Sequence, residues 1–189
     1  MRRQHFVKKI VKQLLGERLL GVIDYFRFPE SRTSWGGAFN GQKHRQLLVE
    51  AFLSNLCLEA IVETGTYRGT TTAYLAALSL LPVYTVEHSS RLYGFSLAAL
   101  RRFDNVHLFK GDSRAFLNGL SSKESLAGKR VFFYLDAHWG GELPVLQELD
   151  IIFNHWEEAV VLVDDFKVPN DGGFGYDDYG AGNPPCQDE

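Results

Sequence analysis

Short runs of apolar residues alternate with longer segments of mixed polarity from residue 60 onward. Each short run has the length of a buried β-strand, and each longer segment has its apolar residues at helical spacing. The strands are predicted at residues 60–62, 82–87, 106–109, 129–136 and 159–164, and the helices between them at 70–81, 89–103, 114–120 and 143–156. This alternation predicts an α/β fold with a doubly wound parallel sheet of about five strands.

The two ends of the chain follow different patterns. Residues 1–20 carry apolar side chains at helical spacing among lysines and arginines, which predicts a basic amphipathic helix. We favour packing of this helix on its own domain or on a partner, and weak contact with a membrane surface is the alternative. Residues 169–189 are rich in Gly, Asp and Tyr and either fold over a pocket as a lid or stay disordered. The predicted organisation is an N-terminal helical segment at 1–58, a ligand-binding domain at 59–168 and this tail.

A stretch rich in Gly and Ser occupies residues 29–41, ahead of a helix predicted at 42–56. Its composition predicts a loop. Trp35 and Phe39 lie within it, so the loop is either a flap over a pocket or a segment fixed to the core, and the sequence favours neither.

The composition is that of one globular domain of 189 residues, with 45% hydrophobic and 23% charged residues. The net charge of −3 gives no argument for a nucleic-acid partner, and we expect none. No apolar run reaches the roughly 18 residues of a transmembrane helix, so none is predicted. Cys57 and Cys186 lack metal-ligand spacing, and a reducing cytoplasm is the expected location. The sequence leaves open whether the chain forms a homo-oligomer.

The first predicted strand leads into a turn with two glycines and then into a helix. The turn reads Glu63-Thr64-Gly65-Thr66-Tyr67-Arg68-Gly69-Thr70. In a doubly wound sheet a ligand binds beyond the carboxyl end of such a strand, and glycine lets the backbone approach it closely. The turn is not a dinucleotide fingerprint, because Tyr67 stands where G-x-G-x-x-G has its second glycine. It is not a P-loop either, because no Gly-Lys-Ser/Thr follows.

Acidic residues end the other predicted strands. Glu87 ends the second strand, where an acid can accept hydrogen bonds from both ribose hydroxyls of an adenosine ligand; a plain surface acid is the alternative. Asp112 follows the third strand and either contacts a ligand or caps the next helix. Asp136 ends the fourth strand, and His138 lies two residues further on.

Three carboxylates are predicted to meet at one edge of the sheet: Asp136, Asp164 and Asp165. Like charges this close repel one another unless a cation lies among them. Carboxylate oxygens suit Mg²⁺ or a similar divalent ion. The sequence therefore predicts a metal site, and the alternative is that Asp164 or Asp165 only caps a turn.

An acidic residue two before the first glycine, followed by G-x-x-x-G, resembles motif I of class I S-adenosyl-L-methionine (SAM)-dependent methyltransferases. Asp-x-His after strand four and Asp-Asp after strand five resemble the Mg²⁺-dependent sugar O-methyltransferases of the macrocin O-methyltransferase-like group. They also resemble the related cephalosporin-hydroxylase-type proteins of the same Rossmann-like fold. The resemblance covers residues 61 to about 167. A class I methyltransferase normally continues with a helix and an antiparallel strand pair, so we expect the chain to be truncated or its last strand to be covered otherwise.

The resemblance implies roles for the residues at the strand ends. Glu63 lies near the amino end of SAM, and the loop around its methionine part comprises Gly65, Thr66, Tyr67, Gly69 and Thr70. The adenosine end is met by Glu87, His88, Asp112 and Ser113. Asp136 belongs both to the cofactor site and, with Asp164 and Asp165, to the metal site. His138 is the general base, a role that suits an imidazole with a pKa near neutral.

The implied function is SAM-dependent, metal-assisted O-methylation of a small hydroxylated molecule such as a sugar or glycoside. One alternative is a degenerate or truncated relative that binds SAM or a partner without catalysis, which the absent C-terminal strands favour. A second is an oxidoreductase that binds a nicotinamide cofactor, which the missing G-x-G-x-x-G argues against.

Overall fold

Five parallel strands form the sheet of the computed structural model, which describes residues 16–124, 126–138 and 143–164. The strands are β1 (Ala60–Thr64), β2 (Val83–Glu87), β3 (Val106–Lys110), β4 (Val131–Leu135) and β5 (Ala159–Val163). Their order across the sheet is β3-β2-β1-β4-β5, with every neighbouring pair parallel. The predicted doubly wound Rossmann-like α/β fold is confirmed. The chain adds β2 and β3 on one side of β1 and then β4 and β5 on the other, so the strand order switches between β1 and β4. Sheets of this kind bind ligands beyond the carboxyl ends of the strands at this switch point.

Six helices accompany the sheet in the described residues. They are α1 (residues 16–27), α2 (Lys43–Asn55), α3 (Thr70–Ser79), α4 (Ser90–Leu100), α5 (Ser113–Ser121) and α6 (Val145–His155). Within this part of the chain no helix is both long and apolar enough to cross a membrane. The first fifteen residues of the predicted basic helix, and the predicted tail at 169–189, lie outside the described residues.

The stretch predicted as a loop at 29–41 contains two short 3-10 helices, Pro29–Gly36 and Ala38–Gly41. Phe39 is buried there, with its ring edge-on to Tyr74 and Tyr134 at centroid distances of 5.8 and 5.0 Å. Its backbone N–H donates to the Thr71 hydroxyl at 3.1 Å. Phe39 therefore fixes this segment to the core. The Trp35 side chain lies outside the described part.

The core has two layers, one on each face of the sheet. Strands β1 and β4 are buried along their whole length, so alternate side chains fill both layers. Phe133 and Leu135 pack with α5 and α6, whereas Phe132 and Tyr134 pack with α2 and α3. The two covered faces leave the carboxyl edge of the sheet as the place where polar side chains gather.

Candidate functional site

The loop between β1 and α3 runs directly against the end of β4. A Cβ at Gly65 would lie 2.3 Å from the carbonyl oxygen of Asp136, and the φ of Gly65 is +86°. Only glycine fits such an approach and such a backbone angle without strain. Gly69 also has a positive φ, 78°, and directly precedes α3. The two glycines therefore let the loop pass close to the carboxyl ends of the strands at the switch point.

A cavity opens at the carboxyl ends of β1 to β4. It is lined by Gly65, Val86, Glu87, His88, Gly111, Ser113, Ala137 and His138. The structure thus brings together five of the residues predicted from the sequence: Gly65, Glu87, His88, Ser113 and His138. Seven other predicted cofactor residues are not among those that line it: Glu63, Thr66, Tyr67, Gly69, Thr70, Asp112 and Asp136.

Glu87 connects the loop before α3 to the segment that follows β2. Its Oε2 accepts the Tyr67 backbone N–H at 2.8 Å, and its Oε1 accepts the Ser89 backbone N–H at 2.6 Å. Glu87 is only 6% exposed, and burial raises the pKa of its carboxyl, while the backbone N–H donors and Lys110 lower it. A carboxylate has about four acceptor sites, and the backbone N–H groups of Tyr67, Ser89 and His88 leave about one of them for a ligand.

Glu63 lies beneath the loop and does not line the cavity. Its carboxyl accepts hydrogen bonds from the hydroxyls of Thr72 on α3 and Thr85 on β2. Burial raises the pKa of Glu63 to about 7, against the lowering effect of these two hydrogen bonds. In this structure Glu63 joins β1, β2 and α3 under the loop. Its predicted contact with the amino end of SAM stays a prediction.

Asp112 caps α5, the alternative role that the sequence allowed. Its side chain accepts the backbone N–H of Arg114 at 2.9 Å and the Arg114 Nε–H at 3.0 Å. The hydrogen bond from the Arg114 side chain is the main cause that lowers the pKa of Asp112 to about 2. The neighbouring Ser113, rather than Asp112, borders the cavity.

Asp164 lies at the end of β5 and is enclosed by two partners. Arg45 of α2 forms a buried salt bridge with its Oδ1, and the Tyr134 hydroxyl donates to its Oδ2. The Asp164 side chain is 0% exposed. The pKa of Tyr134 lies well above its usual range because of burial and of the nearby Asp136 and Asp164 carboxylates. The phenol therefore stays protonated and donates to Asp164.

The predicted metal site does not fit the carboxylates that the structure describes. A divalent cation on Asp164 would lie beside the positive charge of the Arg45 guanidinium, which repels it. Across residues 16–124, 126–138 and 143–164, no three His, Cys, Asp or Glu side chains form a group that could hold a metal. Asp165 lies outside these ranges, so the complete trio stays a prediction.

Several residues near the site were not predicted from the sequence. Arg45 reaches Asp164 across 119 positions of the chain. Glu148 of α6 is buried beside Thr64, with 3.4 Å between the Thr64 hydroxyl and its Oε2. Ser96 donates its hydroxyl to the Tyr67 carbonyl at 2.6 Å and so fixes the loop from α4. A polar residue on an apolar helix face is the one local signal that would have suggested Glu148.

Comparison with known proteins gives matches among solved structures only. No family model matches the chain, and no curated protein matches it. One similar structure is the O-methyltransferase TomG from Streptomyces achromogenes, involved in tomaymycin synthesis and solved in complex with SAM. It has a TM-score of 0.55 and 19% identity, and the match covers 66% of this chain and 56% of TomG.

Two further similar structures contain S-adenosylhomocysteine (SAH). The O-methyltransferase from Bacillus cereus has a TM-score of 0.57 and 18% identity over 84% of this chain and 72% of its own. The Podospora anserina methyltransferase PaMTH1 has a TM-score of 0.54 and 15% identity over 87% of this chain and 70% of its own. At these identities the similarity shows the fold alone. The chain therefore has the Rossmann-like fold of the SAM-dependent O-methyltransferases.

Proposed function

We propose that this chain is a SAM-dependent O-methyltransferase that acts on a hydroxyl of a small molecule, with a sugar or glycoside as the expected acceptor. The observation that carries the proposal is the cavity at the switch point, where Gly65, Glu87 and His138 meet. The solved structures that hold SAM or SAH on the same fold support it.

The residues around the cavity fit the parts of SAM. The loop at Gly65 has no side chain in the way and can pass close to the methionine part. Glu87 retains about one acceptor site for a ribose hydroxyl beyond the backbone donors that hold it. Ser113 borders the cavity at the proposed adenine end.

His138 is the proposed general base. When bound, SAM supplies an electrophilic methyl group on a sulfonium, which a substrate oxygen attacks to leave SAH. His138 lines the cavity and takes the proton from the substrate hydroxyl, so the oxygen reacts as it becomes negative. The rigid strand ends hold the base and the bound groups in line, and such alignment supplies much of the rate in transfer reactions.

The proposed mechanism contains no metal step. Mg²⁺ assistance was predicted from the sequence, but the Arg45 guanidinium already supplies a positive charge to Asp164. The prediction of a trio with Asp165 is tested by adding a chelator to the transfer assay.

Calorimetric titration of the purified chain with SAM and with NAD tests the proposed cofactor. We expect micromolar SAM binding, about −8 kcal/mol, and none of NAD. Glu87→Ala should weaken SAM binding about tenfold, because a hydrogen bond to a charged group is lost at about 1.5 kcal/mol. The exposed Glu157→Gln is the matched control and should bind like the parent chain. NAD binding, or SAM binding that ignores Glu87→Ala, would refute this site.

A further inference from the structure

A second cavity, of about 330 Å³, lies between α1 and α4. Its walls come from α1 and the segment after it, from the loop before α3, and from the start of α4. No described residue lines both this cavity and the one at the switch point. Small-molecule sites usually measure about 300–1,000 Å³. The second cavity is therefore large enough for a ligand of its own, and the proposed cofactor site does not account for it.

The wall of this cavity carries a net positive charge, because two arginines and one aspartate line it. Arg91 donates its Nε–H to the Asp24 carboxylate at 2.6 Å, so these two charges largely offset each other. Arg68 is half-buried and forms no salt bridge with any residue that the structure describes. Charges that are removed from water are stabilised by an opposite charge. The unbalanced guanidinium of Arg68 therefore favours a negatively charged ligand.

The Arg68 guanidinium is held in place on the cavity wall. Its carbon lies over the rings of Tyr67 and Phe95, at 5.1 and 5.6 Å from their centroids. Its Nη1–H donates to the Ser31 backbone carbonyl at 3.4 Å. A guanidinium has five N–H donors, so most of them remain for a ligand. Because the group is already oriented, less side-chain freedom is lost when an anion binds.

The remaining part of the wall is mostly apolar. Phe28, Leu92 and Phe95 line it, and the Phe28 ring is 41% exposed. A ligand that covers this ring removes apolar surface from water, which favours binding. The cavity therefore offers one oriented positive group beside an apolar surface that can receive a ring.

We propose that this cavity is a second small-molecule site, which binds an aromatic acid. The carboxylate or phosphate of the acid pairs with the Arg68 guanidinium, whose planar fork suits either group. The aromatic body of the acid covers Phe28 and Leu92. The inference goes beyond the proposed function and does not rest on it, because the two cavities share no lining residue.

Calorimetric titration of the purified chain with phenyl phosphate tests the site. Phenyl phosphate should bind about tenfold more tightly than the neutral benzyl alcohol, which lacks the acid, and than inorganic phosphate, which lacks the ring. Benzoate should bind as well, because a carboxylate also pairs with a guanidinium. Saturating SAH should not displace phenyl phosphate, since it would occupy the other cavity.

Three variants place the bound phenyl phosphate in this cavity. Arg68→Gln should weaken it about tenfold, because charge-assisted hydrogen bonds are lost. Arg102→Gln is the matched control and should bind like the parent chain, since Arg102 also lies over a ring, that of Phe103, but does not line the cavity. Phe28→Ala should weaken phenyl phosphate and leave inorganic phosphate unchanged. Because Phe28 is exposed, this variant keeps the inference testable if Arg68→Gln fails to fold.

Three results would overturn the inference. The first is a folded parent chain that binds neither phenyl phosphate nor benzoate at millimolar concentration. The second is an affinity that Arg68→Gln or Phe28→Ala changes no more than Arg102→Gln does. The third is displacement of phenyl phosphate by SAH, which would place it in the cavity at the switch point. None of these results decides the proposed function, which the titration with SAM tests separately.

Discussion

Replacing Arg45 with alanine is expected to lower the free energy of unfolding by about 3–5 kcal/mol. The Asp164 side chain is 0% exposed and forms its buried salt bridge with Arg45. Without the guanidinium, the buried carboxylate would lose the positive charge that pairs with it, while the Tyr134 hydroxyl would still donate to it. Chemical denaturation followed by circular dichroism measures the loss.

The control for Arg45 is an exposed ion pair in the same chain. Arg91 pairs with Asp24 at 2.6 Å, but its side chain is 53% exposed. Arg91→Ala should therefore cost less than about 1 kcal/mol. Adding Asp164→Asn to Arg45→Ala should restore part of the stability, because it removes the buried negative charge. If Arg45→Ala lowers the free energy of unfolding by no more than Arg91→Ala does, the buried salt bridge between Arg45 and Asp164 does not stabilise the fold as expected.

His138→Ala is expected to slow methyl transfer by about 10²–10⁴-fold, the usual worth of a general base. SAM affinity should stay close to that of the parent chain, because the base acts on the substrate hydroxyl and not on the cofactor. Turnover under saturating SAM and a calorimetric titration of the same variant measure the two effects separately.

His88→Ala is the matched control for His138→Ala. Both histidines line the cavity, but His88 follows β2, on the side where the adenosine end is proposed to lie. It should weaken SAM binding more than it slows saturated turnover. If His138→Ala reduces affinity and rate to the same extent, His138 is a structural part of the cavity and another group removes the proton.

The sheet could be predicted from the sequence because its signals are local. Each strand is a short apolar run, and β1 and β4 are buried on both faces, which makes their runs continuous. The boundaries were less certain. The fourth strand was predicted at 129–136, and the structure has it at Val131–Leu135. Backbone pairing continues one residue beyond each end, since the Arg130 carbonyl accepts from Glu59 and the Asp136 N–H donates to Thr64.

The part of the site that lies at the strand ends could be predicted from the sequence. Parallel strands bring their carboxyl ends to one edge, so Glu87, Ser113 and His138 could be placed together before any coordinates. The role of Asp112 could not be decided from the sequence, because an acid at that position suits both a helix cap and a ligand contact. Contacts such as Arg45 with Asp164 join distant positions and have no local pattern. The 3-10 helices at 29–41 depend on Phe39 reaching the core, which is also a long-range contact.

The most direct test of the account is transfer of an isotope-labelled methyl group from SAM to a panel of sugars, glycosides and other hydroxylated small molecules, with and without a chelator. We expect a labelled methyl ether on at least one acceptor, with an equal amount of SAH formed. We also expect that the chelator leaves this transfer in place and that His138→Ala removes most of it. A chain that binds SAM but yields no SAH with any acceptor would contradict the account and leave a binding protein on a methyltransferase fold.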